Sequence, residues 1–87
     1  MNYSQMLDFE INCAVAELVG KHADYCNLWA DAGPIIQEHE ISIIFKNDEN
    51  RIHHAFCGPS PSAYFDDENP LRAAMVAFLK ASEAVNA

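Results

Sequence analysis

Two segments, HADYC at residues 22–26 and HHAFC at residues 53–57, each set a histidine four positions before a cysteine. Two imidazoles and two thiolates make the ligand set of a tetrahedral zinc site, so His22, Cys26, His53 and Cys57 are the first residues to weigh. Their spacing argues against a shared ion. If residues 52–57 form a strand, positions four apart lie about 13 Å from each other. Structural zinc sites use closer cysteine spacing, and the expectation is that no metal is held. A nucleophilic pairing of cysteine with histidine fares no better, because no basic cluster or helix N-terminus is placed to lower a thiol pKa. Other titratable groups gather at Glu38, His39 and Glu40 and at Asp66, Asp67 and Glu68, which read as solvated surface and helix-end charge. There is no phosphate-cradling glycine loop, no G-x-S-x-G turn and no H-E-x-x-H helix, so catalysis is not expected and no cofactor is implied.

Charge narrows the partners. Thirteen Asp and Glu against five Lys and Arg leave a net charge of -8 on 87 residues. That balance repels a phosphate backbone and forfeits the counterion release that drives nucleic-acid binding. It suits a basic protein partner, an acidic decoy that mimics nucleic acid before a DNA-binding protein, or simply a solubilising surface. Hydrophobic residues make up 51% of the chain, including five Phe, three Tyr and one Trp, enough for one globular domain over residues 1–87. A domain of that size buries roughly 60–65% of its unfolded surface, an adequate but thin core. No apolar run is long enough to span a bilayer, and the first residues lack the basic and then apolar pattern of a signal peptide, so a cytoplasmic protein is expected. Cys13, Cys26 and Cys57 are odd in number and widely spaced, which points to reduced thiols.

The elements that must position these residues follow from periodicity. Ile11, Ala14, Val15 and Leu18 recur at helical spacing over residues 9–19, with Asp8 as the expected N-cap and Gly20 as the stop. A second stripe, Phe9, Cys13 and Ala16, runs along the same helix; it reads as burial inside the domain or as a homodimer contact. Residues 21–27 read as a connection. Pro34 suits a first helical position, with Ile35 and Ile36 opening a short helix of about one and a half turns. Ile41, Ile43 and Phe45 then alternate as in a strand, and Ile52, His54 and Phe56 alternate with His53, Ala55 and Cys57 in a second. The turn cluster NDEN at residues 47–50 joins them as a hairpin. Residues 58–68 read as a surface loop from which Tyr64 and Phe65 tuck back onto the body. Asn69 as N-cap and Pro70 at the first position open a long helix over residues 70–85, with Leu71, Ala74, Met75, Phe78, Leu79 and Val85 in one apolar stripe. The sum is a small α+β domain with both long helices on one side of an antiparallel sheet. A third strand, expected from residues 3–7 or around Tyr64, would complete a sheet that is marginal at two.

Three segments in order, MNYSQMLDFEINCAVAELVG, CNLWADAGPIIQEHEISI and ENPLRAAMVAFL, resemble the NinX-like family of small proteins of tailed phages and prophages. The shared features are the A-V-A helix core at Ala14, Val15 and Ala16, the W-x-x-x-G-P-I-I block from Trp29 to Ile36, and the P-L-x-A-A-M helix from Pro70 to Met75. Many relatives carry a W-x-A in the second strand, where this chain has His53 or His54 before Ala55. The resemblance implies a phage or prophage product made in the bacterial host, and it implies no reaction and no cofactor. Within the block, Ile35 and Ile36 read as a plug for the end of the core. Trp29 reads as part of that plug or as an exposed anchor for a partner. The expected function is therefore an accessory role exercised by binding a host or phage protein, with Trp29, Tyr64 and Phe65 as the contact residues.

Overall fold

Residues 73–79 are apolar without interruption, and a helix that is apolar all round must be covered on every side. A computed structural model describes residues 2–46, 49, 51–57 and 63–86, without the side chains of residues 84–86. Its elements are a short 3-10 turn (Tyr3–Gln5), α1 (Asp8–Val19), α2 (Trp29–Glu38), β1 (Ile41–Ile44), β2 (His53–Cys57), β3 (Tyr64–Asp67) and α3 (Pro70–Asn86). The fold is α+β, as expected. The strands form an antiparallel sheet in the order β1-β2-β3, and α3 packs across one face of it, chiefly on β2 and β3. Of the two long helices expected on one side of the sheet, α3 packs on the strands directly and α1 makes its main contact with α3 instead, while α2 lies against β1 and α3. This explains the burial of Ala73, Val76 and Ala77 together with Leu71, Ala74, Met75, Phe78 and Leu79. Val85, the last residue of the expected stripe, has its side chain outside the described residues.

Register fixes which strand residues face α3. Ile41 pairs with Cys57, Ile43 with Ala55, and Ala55 with Phe65, so these share the inner face. Ser42, Ile44, His54, Phe56, Tyr64 and Asp66 share the outer face, on which Ser42, Ile44, Tyr64 and Asp66 are exposed and His54 and Phe56 half-buried. The third strand arises around Tyr64 within what reads as a loop, while residues 3–5 form the 3-10 turn instead. The turn cluster at 47–50 lies outside the described residues except Glu49, and residues 58–62 lie wholly outside them.

Local signals hold in part. Gly20 caps α1 in the left-handed conformation at φ 80°, its amide bonded to the Ala16 carbonyl at 2.8 Å. Asp8 is not the N-cap. Leu7 holds that place in extended conformation, and its amide is taken by the Glu10 carboxylate at 2.9 Å. The Asp8 carboxylate instead accepts from Arg72 Nη1 at 2.7 Å. Asn69 caps α3 as expected, its side-chain oxygen accepting from the amides of Leu71 and Arg72 at 2.9 and 3.3 Å. Helix α2 begins five residues before Pro34, leaving the proline inside it. The extended Leu28 seeds it, its carbonyl accepting from Asp31 and Ala32 at 3.1 and 3.0 Å.

Candidate functional site

Helix α2 turns back through His39 and Glu40 into β1, so its first residue, Trp29, comes beside the last residues of the strand segment. The Trp29 ring lies 6.2 Å from that of Phe45, and Phe45 meets His53 edge-on at 5.4 Å. Trp29 is 52% exposed and Phe45 53% exposed. The plug is made by Ile35, which is buried in the core, and Ile36, which packs against it. Trp29 is thus a half-uncovered aromatic held by a ring on one side. His53 Nδ1 accepts the Lys46 amide proton at 3.0 Å, which fixes that imidazole beneath Phe45. Phe45 and His53 are the neighbours that periodicity missed, because alternation read Phe45 as one more strand residue and β1 ends at Ile44.

Tyr64 and Phe65 are parted by the two-residue strand period. Tyr64 sits on the outer face, 46% exposed, with its ring 5.5 Å from His54, which contacts the Asp66 carboxylate on the same face. Phe65 points the other way and packs against the core. Only Phe65 tucks in. Lys80 reaches across from α3 to lie 5.5 Å from the Tyr64 ring and 5.4 Å from the Phe65 ring. Trp29 and Tyr64 belong to separate surfaces, one at the start of α2 and one on the outer face of β3. Of the second α1 stripe, Phe9 is exposed, Cys13 half-buried and Ala16 buried in the core.

The four residues of the H-x-x-x-C segments are not gathered. Cys26 is fully buried with its Sγ 3.9 Å from the Asp8 carbonyl, and Cys57 is buried with its Sγ 3.7 Å from the His39 carbonyl. His53 is occupied by Lys46. Among the described residues no three His, Cys, Asp or Glu side chains stand together as metal ligands. Burial pushes the Cys26 thiol up to about 12, with the nearby Asp8 carboxylate adding to the shift, and burial raises Cys57 as well. Both thiols are held protonated, the opposite of what a nucleophile or a zinc ligand needs. An open groove of about 350 Å³ lies between the ends of α1 and α3 over Leu18, His39, Cys57, Phe78 and Ser82. Its imidazole lies tilted against Phe78, ring centres 4.6 Å apart, and its cysteine bonds a main-chain carbonyl, so no activated pair faces the groove.

The acidic run at residues 66–68 is divided in the same way. Asp66 meets His54 on the outer face, while Asp67 accepts from the Asn69 amide at 3.0 Å and approaches Arg72 Nε at 3.5 Å. Glu68 is exposed, and Glu38, His39 and Glu40 are surface residues as expected.

No curated protein and no solved structure matches the chain. A family model described as Bacteriophage P22, NinX matches residues 22–82, which takes in both the Trp29 block and the Pro70 helix and leaves α1 outside. That span is well over half of the chain, and the protein belongs to the phage P22 NinX family.

Proposed function

We propose that this phage protein is an accessory factor that acts by binding a host or phage protein through the aromatic surface of Trp29 and Phe45. The observation that supports this reading is the pair of half-exposed rings, 6.2 Å apart, on a domain in which Phe9 and Tyr64 are the other exposed aromatics among the described residues. Leaving an indole half in water forgoes part of the roughly 1.5–3 kcal/mol gained by burying a large apolar side chain. Trp is also the residue type most enriched among interface hot spots, where its truncation costs about 2 kcal/mol or more. The net charge of -8 favours a partner with a basic surface and speeds its encounter. Tyr64, exposed on a separate face, is a second and independent contact.

The test is an affinity capture from host lysate with tagged protein, wild type beside Trp29→Ala and Tyr64→Ala, at low and moderate salt, after circular dichroism shows each variant folded. A partner retained at moderate salt and lost with Trp29→Ala is the expected result. Partners that ignore both substitutions and leave together as salt rises would replace this reading with that of an acidic decoy.

A further inference from the structure

The two free edges of the sheet differ in how well they are guarded. The Cys57 amide donates to the Ala63 carbonyl at 2.9 Å, so Cys57, Ala55 and His53 direct their main-chain groups toward β3. His54 and Phe56 then direct theirs toward β1, to their partners Ile44 and Ser42. The Lys46 amide, which also points inward, to His53, agrees with that alternation. The main-chain groups of Ile41, Ile43 and Phe45 are left pointing away from the sheet. On the opposite edge, β3 carries two carboxylates in four residues, and the Lys80 ammonium lies over two of its rings. Charges of this kind discourage strand addition. β1 reads Ile-Ser-Ile-Ile and has none.

The sequence around β1 is also complementary to itself. Residues 40–46 read E-I-S-I-I-F-K, an acid and a base placed symmetrically about Ile43. If a second copy adds antiparallel with the twofold axis at Ile43, Ile43 meets Ile43, Ile41 meets Phe45 and Ser42 meets Ile44. Glu40, in the turn before each strand at φ 53°, then comes to the same end of the pairing as Lys46, which follows the strand of the other copy. This register pairs residues of like face, as antiparallel strands require, and it joins the outward-pointing main-chain groups of Ile41, Ile43 and Phe45. Shifting the axis to Ser42 sets Glu40 against Ile44, and shifting it to Ile44 sets Lys46 against Ser42. Only the axis at Ile43 brings both charges together. We infer that the protein forms a twofold dimer through the β1 edge, joining two three-stranded sheets into one continuous sheet with Glu40 and Lys46 paired at both ends. The contact is isologous and closed, so it stops at two copies. It also covers the β1 main-chain edge, while the β3 edges stay outermost with their charges.

Sedimentation of the untagged protein from micromolar to millimolar concentration, in moderate salt to screen the net charge, tests this directly. The expected species has twice the 9.7 kDa mass of the chain. Lys46→Glu and Glu40→Lys each set like charges together at both ends and should weaken the dimer about tenfold or more. The double swap, Glu40→Lys with Lys46→Glu, should restore it. Both positions are exposed, so the variants should stay folded, with circular dichroism as the check; Glu40 lies at φ 53°, where Lys is no more strained than Glu. Trp29→Ala, which alters partner capture in the preceding proposal, leaves the strand edge and both charges in place and should not change the mass. A monomer at every concentration overturns the inference, and so does a dimer indifferent to both charge reversals.

Discussion

Arg72 is the residue on which the most separate parts of the chain converge. Its guanidinium donates from Nη1 to Asp8, from Nη2 to the main-chain carbonyls of Tyr3 and Met6, and sets Nε near Asp67. One planar fork therefore ties the N-terminal turn, the start of α1 and the end of β3 to the first turn of α3. The residue is 9% exposed, so removing it strands acceptors that water reaches poorly. Arg72→Met should lower unfolding free energy by about 2–4 kcal/mol, read from urea denaturation, and Arg72→Lys should recover only part of it. A loss below about 1 kcal/mol would show that the clamp is incidental. Asn69 does comparable work nearby. Besides capping α3, its amide nitrogen donates to the Cys26 carbonyl and so fastens the 21–28 connection. Asn12 and Asp24 order the same connection, bonded to each other at 2.9 Å, with the Cys26 amide on Asn12 at 3.0 Å.

At the scale of elements, α2 departs furthest from simple sequence rules. A proline inside a helix loses a main-chain hydrogen bond and crowds the preceding turn. The residue before it is also pushed away from helical angles, and here that residue is Gly33, which has no Cβ to clash with the ring. A Cβ at Gly33 would meet nothing within 4 Å beyond its chain neighbours and the backbone of its own helix, so tertiary packing does not require glycine there. Pro34 is exposed, so its removal forfeits little contact. Pro34→Ala should raise stability by about 2 kcal/mol, the interior proline cost of roughly 3 offset by the greater entropy of the unfolded chain. An unchanged or lower urea midpoint would mean that the proline braces the turn into β1. Such a device could not be read from sequence, since a proline followed by two isoleucines fits a helix start equally well. The strand at Tyr64 was legible only as one of two alternatives for a third strand: its second half, Asp66 and Asp67, has low β propensity, and its pairing depends on β2.

For the whole molecule, the core gathers phenols and thiols that must stay neutral. Cys26 is pushed up to about 12, and Cys57, Tyr3 and Tyr25 are each raised, burial being the largest cause in every case. Such a group favours the fold in its protonated form. Its contribution is complete below the unfolded-state value, ordinarily 9.0 for the thiol, and is lost as pH rises from there toward the folded value near 12. Stability should therefore be insensitive to these groups near neutrality and fall through the alkaline range. Urea midpoints measured across that window check it, and Cys26→Ala should flatten part of the decline. A midpoint that holds steady through the window would mean that the core opens to hydroxide without cost.

How much was legible depended on the range of the interaction. The fold class, the capped and apolar α3, the Gly20 stop, the strands at residues 41 and 53, and the phage family were all present in local pattern, because periodicity, capping and motif spacing act within a few residues. The sequence alone also carried the acidic balance and the scattering of the histidines and cysteines. Which face of each strand turns outward, which side of α3 receives α1, and which of Trp29, Tyr64 and Phe65 is turned to solvent were decided only by tertiary structure. Those outcomes depend on pairings such as Ala55 with Phe65 and on Arg72 reaching Asp8, contacts between residues far apart in the chain whose partners no local window contains.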